Sequence, residues 1–179
     1  MLHGPTIDLR LVRESDLAEL HALFSEVSDR GDYYPGSLTA WPEFGRRYDE
    51  TGFWGEDHGM LLICNKDGLL LGQISFFKNS VYRDALEIAY IVLRPQERGQ
   101  GVMSEALRLF CAHLFETKKV YRLELSIVPG NEASRRVAEK AGFWREGIMR
   151  GAIFLRGRNQ DLGLYSLLRD EWWERTMSG

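Results

Sequence analysis

The chain has 179 residues, of which 44% are hydrophobic and 27% charged, and its formal net charge is −3. This length predicts a single domain over residues 1–179 that buries most of its apolar surface. The acidic balance argues against nucleic-acid binding, which ordinarily needs a basic face. No apolar run approaches the roughly 20 residues that span a bilayer, and residues 1–5 lack the features of a secretion signal. We therefore expect a soluble cytoplasmic protein with no membrane partner.

In chain order, the first half of the sequence predicts a strand, two helices and a hairpin. The strands alternate apolar and polar residues or are continuously apolar, and the helices repeat apolar residues at helical spacing. Asp67-Gly68 is the turn signal of the hairpin, and the turn residues of 30–36 predict a loop between the helices. These elements are a strand over Thr6–Val12, helices over Ser15–Val27 and Trp41–Tyr48, and strands over Met60–Cys64 and Leu69–Phe77.

The second half alternates strands with helices before it ends in a further pair of strands. Asn131 is a good helix N-cap, and Gly142 stands just past the end of the same helix. Hairpins followed by a strand–helix–strand–helix–strand core predict a mixed α/β sheet flanked by helices. The elements are strand Leu86–Leu93, a helix from Val102 to about Lys118, strand Arg122–Val128, helix Asn131–Ala141, strands Phe143–Leu155 and Asp161–Leu168, and a short helix over Asp170–Arg175.

The two cysteines, Cys64 and Cys111, fall in a predicted strand and a predicted helix. Neither has a partner at metal-ligand spacing, and two cysteines make no disulfide framework. We expect buried reduced thiols and no metal site.

The most informative segment is the strand-to-helix turn between Leu93 and Val102. Pro95 ends the strand because it cannot donate to a sheet ladder, and Gly99 and Gly101 then lead into the helix. Such a turn directs free backbone N–H groups and the positive end of a helix dipole at one spot, which suits a phosphate.

This turn has three alternative assignments. A Walker loop needs a different glycine spacing and a lysine, so it does not fit. A dinucleotide fingerprint fits in part, but its third position is Ser104 and the turn lies mid-chain after hairpins. A tight turn that binds nothing is the remaining alternative.

A wider set of residues bears on this choice. It consists of Gln96, Gly99 and Gly101 in the turn, Asn131 and Ser134 in the next helix, Gly142-Phe143 after it, Leu9-Arg10-Leu11-Val12-Arg13 near the start, Glu87-Ile88-Ala89-Tyr90, and the late Glu146-Gly147, Arg150, Asp161 and Tyr165-Ser166-Leu167-Leu168. The combination resembles the GNAT superfamily of acyl-CoA-dependent N-acetyltransferases, and within it the RimJ/RimL branch, whose members acetylate protein N-termini and small amines. Ala89 departs from the glycine that relatives more often carry, and 30–35 is not a family motif.

The resemblance implies a central, mostly antiparallel sheet of six to seven strands with about four helices around it. The sheet would be splayed between its fourth and fifth strands, Leu86–Leu93 and Arg122–Val128. The pantetheine arm of acetyl-CoA, the co-substrate, would enter this gap and pair with backbone groups near Ile91 and Leu93, and the pyrophosphate would rest on the turn. The implied cofactor-binding residues are Ile91, Val92, Leu93, Gln96, Arg98, Gly99, Gln100, Gly101, Val102, Met103 and Asn131. For Asn131, plain helix capping is an equal alternative, and both roles can hold.

The resemblance also implies direct transfer of the acetyl group to a bound primary amine. The amine must lose a proton and the departing sulfur must gain one. Glu87 is the candidate base, directly or through water, with a structural pairing to Arg150 or a backbone amide as the alternative. Ser134 is the candidate proton donor or hydrogen-bond partner of the thiol, with a packed serine as the alternative.

The resemblance leaves the identity of the acceptor open. Candidate substrate-binding residues are Tyr33, Tyr34, Trp41, Tyr90 and Arg150. They would suit a protein N-terminus or a small amine, although exposed aromatic residues often simply pack. A non-catalytic acyl-CoA sensor and an NAD-binding oxidoreductase are the alternative functions, and relatives occur as monomers and homodimers.

Overall fold

The computed structural model describes residues 1–78, 80 and 82–178, and these form eight strands and five α-helices. The strands are β1 (Leu2–His3), β2 (Ile7–Leu11), β3 (His58–Asn65), β4 (Leu70–Phe77), β5 (Ala85–Val92), β6 (Arg122–Ile127), β7 (Trp144–Leu155) and β8 (Arg158–Leu168). The helices are α1 (Leu17–Ser25), α2 (Trp41–Thr51), α3 (Val102–Thr117), α4 (Glu132–Lys140) and α5 (Arg169–Ser178).

The strands form one mixed sheet in the order β1-β2-β3-β4-β5-β6-β8-β7. Neighbouring strands are antiparallel except β5 and β6, which are parallel. The predicted mixed α/β class is therefore confirmed. The sheet contains eight strands because the two-residue β1, too short to give a periodic signal, pairs with β2 through Leu2 and His3.

The expected splay in the sheet lies between β5 and β6. Their register joins Ala85 to Arg122, Leu86 to Leu123 and Glu87 to Glu124, and pairing stops there. From Ile88 onward β5 stays paired with β4, while β6 stays paired with β8 as far as Ile127. The two strands therefore diverge and leave a wedge-shaped gap that closes at Glu87.

Apolar side chains cover the two faces of the sheet with separate clusters. On one face the fully buried Leu107, Phe110 and Leu114 of α3 pack against the sheet. On the other face Leu20 of α1 packs in the cluster that contains Leu62 of β3. Successive residues of a strand point to opposite faces, so β3, β4 and β5 contribute side chains to both clusters.

Both predicted thiols are confirmed as free and buried. Burial raises the pKa of the Cys111 thiol, which keeps it protonated and unreactive. Within residues 1–78, 80 and 82–178, no group of three or more histidine, cysteine or acidic side chains is placed to hold a metal ion. In the same part of the chain, no helix has the length and apolar character that crossing a bilayer requires.

Candidate functional site

A groove of about 540 Å³ lies where β5 and β6 diverge, between α3, α4 and the loop after α1. It brings together many of the residues that the sequence singled out. Those in its lining are Tyr33, Tyr34, Tyr90, Ile91, Val92, Arg98, Gly99, Gly101, Val102, Met103, Asn131 and Ser134.

The glycine turn at one end of the groove uses left-handed backbone conformations. Gly99 has φ of 78° and Gly101 has φ of 85°. A Cβ atom on either residue would meet no other atom within 4 Å. The requirement for glycine is therefore conformational rather than steric, because an L residue in this region costs about 1–2 kcal/mol. The open space in front of the turn leaves its backbone accessible to a ligand.

Helix α3 begins in this turn without a side-chain cap. Its N-cap is Gly101, which has no side chain, and no side-chain hydrogen bond caps the helix. The N–H groups of the first turn of a helix have no partner within the helix, and the helix dipole adds positive potential there. This end of α3 therefore suits an anionic group such as a pyrophosphate.

Helix α4, on the other side of the groove, is capped. The side-chain oxygen Oδ1 of Asn131 accepts a hydrogen bond of 3.1 Å from the backbone N–H of Ser134. The predicted capping role of Asn131 is confirmed. The cap also orients the first turn of α4, which carries Ser134 into the groove.

The backbone N–H and C=O groups of successive β5 residues point alternately toward β4 and toward the gap. The N–H of Leu93 donates to the carbonyl of Leu71 at 2.9 Å. In an antiparallel pair, both backbone groups of such a residue face the partner strand, and the pattern repeats every second residue. Leu93 and Ile91 therefore turn their backbone groups to β4. Val92 is the residue of this trio whose backbone faces the gap; its carbonyl accepts from the Arg98 side chain, and its N–H is the group left for pairing with a ligand.

The polar side chains of the turn bond within the protein. The guanidinium of Arg98 donates to the carbonyl of Val92 at 3.0 Å and to the carbonyl of Asp29. Arg98 lines the groove and ties the turn to β5 and to the loop after α1. The side-chain amide of Gln100 donates to the carbonyl of Gln96 at 2.9 Å, and both glutamines are exposed outside the groove.

A hydroxyl pair lies on the wall of the groove. The Tyr90 and Ser134 hydroxyl oxygens are 2.8 Å apart, and either can be the donor. Burial raises the pKa of Tyr90 to about 12, so its phenol is protonated at neutral pH. Sequence reasoning placed Tyr90 in the wall of the acceptor pocket, whereas its hydroxyl is directed at Ser134. The contact joins residues 44 positions apart and could not be read from local sequence.

Glu87 lies at the closed end of the gap and is half-buried. It is three residues before Tyr90 on β5, so the two side chains point to opposite faces of the sheet. Glu87 is not part of the groove lining. Groups on the two faces of the sheet can approach one another through the gap between β5 and β6.

The remaining candidate substrate residues divide into two groups. Tyr33 lies over the groove and donates from its hydroxyl to the Gly130 carbonyl at 2.8 Å. Trp41 packs edge-on against His21, with ring centroids 5.3 Å apart, and Arg150 is exposed on β7. Neither Trp41 nor Arg150 lines the groove.

Glu124 is a residue of this region that sequence reasoning did not select. It is 1% exposed, and its Oε1 accepts hydrogen bonds from Arg122 at 2.6 Å and Arg83 at 3.0 Å. Its Oε2 is buried without a hydrogen-bond partner among the described residues. The sequence does place a carboxylate, Glu124, within the alternating strand Arg122–Val128. The strand pattern alone does not show that this carboxylate is buried, because its burial depends on the neighbouring strands of the sheet.

Comparisons with known proteins consistently identify acetyltransferases. Residues 6–144 match the family model described as an acetyltransferase (GNAT) domain. The chain is 32% identical over 184 residues to a probable N-acetyltransferase, YjcK, of Bacillus subtilis (strain 168), covering 96% of this chain and 98% of that protein. It is 27% identical over 175 residues to the ribosomal-protein-serine acetyltransferase of Escherichia coli (strain K12), covering 89% of this chain and 97% of that protein.

A solved structure shares the fold. The spermidine N-acetyltransferase from Vibrio cholerae, in complex with CoA and spermine, superposes with a TM-score of 0.82 at 17% identity. The superposition covers 95% of this chain and 99% of that chain.

Proposed function

The chain belongs to the GNAT family of acetyltransferases, in its RimJ/RimL-like branch, and we propose that Glu87 and Ser134 are the groups that move protons in its reaction. It is an acetyl-CoA-dependent N-acetyltransferase. The family assignment favours this activity over the acyl-CoA sensor and the NAD enzyme raised as alternatives. The observation that carries the proposal is the 2.8 Å contact between Tyr90 and Ser134 inside the groove.

The co-substrate is held along the groove from α3 to the gap. The pyrophosphate of acetyl-CoA accepts hydrogen bonds from the uncapped N–H groups that follow Gly101. The helix dipole adds only about 0.3–1 kcal/mol, so hydrogen bonds to the charged group, worth about 1.5–3 kcal/mol each, provide most of the affinity. The pantetheine arm pairs with the backbone of Val92, and the side-chain amide of Asn131 lies beside its path.

The thioester then lies near Ser134 at the wall of the groove. The amine nitrogen attacks the thioester carbonyl, the carbon–sulfur bond breaks, and the sulfur leaves with the bonding electrons. The Ser134 hydroxyl donates a proton or hydrogen bond to that sulfur, and its own orientation is set by Tyr90. The amine enters from the opposite face of the sheet, where Glu87 takes its proton directly or through water.

The acceptor is a primary amine of a protein N-terminus or of a small molecule. Support comes from the names of similar proteins, one of which acetylates a ribosomal protein and another spermidine. In this chain, Tyr33 and Tyr34 are the groove-lining side chains of the loop after α1, and we assign them to the acceptor or to the acetyl-CoA arm.

The catalytic assignment is tested with Glu87→Gln and Ser134→Ala. Acetyl-CoA consumption is measured with two acceptors, spermidine and a peptide with an N-terminal serine. We expect Glu87→Gln to lower kcat by about 10²–10⁴-fold and Ser134→Ala by about 10–10²-fold, since correctly placed acids and bases contribute factors of this order.

Two controls match the chemistry of these substitutions. Glu139→Gln removes an exposed carboxylate from α4, and Ser25→Ala removes an exposed hydroxyl that bonds a helix carbonyl. Both should retain wild-type turnover. Full turnover by Glu87→Gln and Ser134→Ala at saturating acetyl-CoA would overturn the assignment.

A further inference from the structure

Polar side chains cross the sheet in a row at the closed end of the gap. Glu87 of β5, Glu124 of β6 and Ser166 of β8 are direct neighbours in the register. Laterally paired residues share a face, so all three point to the same side as Ile91 and away from Tyr90. The row therefore lies on the face of the sheet from which the acceptor amine enters.

Glu124 is the unusual member of this row. The residue is 1% exposed, yet its Oε2 has no hydrogen-bond partner within residues 1–78, 80 and 82–178. A buried acceptor left unsatisfied costs about 1–3 kcal/mol, more for a charged group. Such a cost in a native fold calls for an explanation, and a ligand that donates a hydrogen bond at this point supplies one.

Two arginines occupy the other oxygen of this carboxylate. Arg122, two residues earlier on the same face of β6, and Arg83, just before β5, both donate to Oε1. Oε2 is therefore the oxygen of Glu124 that is left for a further hydrogen-bond donor, and Glu124 lies beside Glu87 where the pairing of β5 and β6 ends.

We propose that Glu124 is an acceptor-binding residue and that its Oε2 accepts a hydrogen bond from the ammonium group of the incoming amine. The inference rests on the proposed function and adds that the acceptor amine is bound in its protonated form, as an ammonium group. Neighbouring strands lie about 4.8 Å apart, so Glu87 and Glu124 can contact one ammonium together.

The two carboxylates have different roles toward that ammonium group: Glu124 binds it and Glu87 deprotonates it. Glu124 is already paired with two guanidinium groups and binds the ammonium through one N–H. Glu87 takes one proton from the same nitrogen, directly or through water. The freed lone pair attacks the thioester carbon while one remaining N–H bond to Oε2 holds the nitrogen in position. The nitrogen loses its second proton as the carbon–sulfur bond breaks, and the departing sulfur gains one, so that the products are the amide and the CoA thiol.

The test compares Glu124→Gln with Glu146→Gln. At position 124, an amide keeps a carbonyl oxygen for Arg122 and Arg83 and places an NH₂ donor where Oε2 stood. Glu146 is the matched control because it also forms an ion pair with Arg122, at 2.6 Å, but lies on β7 away from the gap. Both variants disturb the same arginine, and only one changes the proposed ligand atom.

Two measurements are made on each protein. Steady-state kinetics gives kcat and KM for spermidine and for the peptide with an N-terminal serine, and for acetyl-CoA. Calorimetric titration of spermidine into the CoA-saturated protein gives binding without turnover. We expect Glu124→Gln to raise the acceptor KM and the spermidine Kd by about 10–100-fold, the range for a hydrogen bond to a charged group. Its acetyl-CoA KM and the pH profile of kcat should not change.

The outcomes separate this inference from the proposed function. Equal increases in acceptor KM for Glu124→Gln and Glu146→Gln would mean that the effect passes through Arg122, and would overturn the inference. So would an acceptor KM that is unchanged in Glu124→Gln for every acceptor that the wild-type protein acetylates. Failure of Glu87→Gln and Ser134→Ala to slow turnover contradicts the proposed function instead. If only one of the two acceptors responds to Glu124→Gln, that acceptor is the source of the ammonium.

Discussion

Ser134 has two partners that together define its orientation. Its backbone N–H is held by the side chain of Asn131 at 3.1 Å, and its hydroxyl contacts Tyr90 at 2.8 Å. The Asn131 cap fixes the backbone at Ser134, and the Tyr90 contact restrains its hydroxyl before the ligand binds. Positioning of this kind lowers the cost of reaching a reactive geometry.

Tyr90→Phe tests the contribution of this orientation. The substitution removes one hydroxyl and leaves Ser134 in place, so we expect kcat to fall by about 2–12-fold, the value of a single neutral hydrogen bond. Steady-state kinetics at saturating acetyl-CoA measures it. Tyr121→Phe is the control, because its hydroxyl bonds Asp170 at 2.9 Å outside the groove. A wild-type kcat in Tyr90→Phe would show that Ser134 needs no such partner.

At the scale of single elements, Gly101 determines both the shape of the turn before α3 and the absence of a side-chain cap on that helix. Gly101 supplies the positive φ of 85° and caps the helix without a side chain. A residue with a polar side chain at this position could satisfy the N–H groups that the pyrophosphate needs. Glycine therefore leaves the anion site open at the same time as it makes the turn.

Gly101→Ala separates the conformational requirement from binding. Alanine in the left-handed region should lower the free energy of unfolding by about 1–2 kcal/mol, measured by urea titration. Because the turn would rotate its N–H groups, we expect the acetyl-CoA Kd to rise by about 10-fold or more. Gly68→Ala is the control, since Gly68 has φ of 88° and equally open space on the β3–β4 turn, outside the groove lining. The same Kd in both variants would contradict the role of Gly101 in binding.

At the scale of the whole molecule, the groove is assembled by distant contacts of the loop after α1. Arg98 of the glycine turn bonds the carbonyl of Asp29, and Arg156 of the β7–β8 turn bonds the carbonyl of Gly31 at 2.8 Å. Tyr33 of the loop bonds Gly130, just before α4, at 2.8 Å. Three separate parts of the fold thus hold one loop across the groove.

A second set of long-range contacts joins β6, β7 and β8. Glu146 accepts two hydrogen bonds of 2.6 Å from Arg122 and one of 2.6 Å from Ser166. The Arg122 and Ser166 hydrogen bonds lower the pKa of Glu146 to about 2, from an ordinary value of 4.5. A carboxylate with a lowered folded-state pKa stabilises the fold above its unfolded pKa and loses that contribution as pH falls.

The pH dependence of stability follows from this pKa. Between pH 4.5 and about 2 the unfolded state binds more protons at Glu146 than the folded state, so stability falls with pH in that window. Urea unfolding of the wild type and Glu146→Gln across this range is the measurement. We expect the stability difference between them to shrink steadily as pH falls to about 2. Parallel curves would contradict the contribution of Glu146.

The local chemistry of the sequence determined the elements and the phosphate turn. Helical and strand periodicity, the Asn131 cap and the Gly99 and Gly101 turn depend on neighbours a few residues apart, and all are present in the structure. The register of the sheet decided the rest. It turned the backbone of Val92 to the gap, brought Tyr90 to Ser134 and buried Glu124 beside Glu87. Such contacts depend on which strands pair and how far, a property of the whole chain that no local pattern encodes.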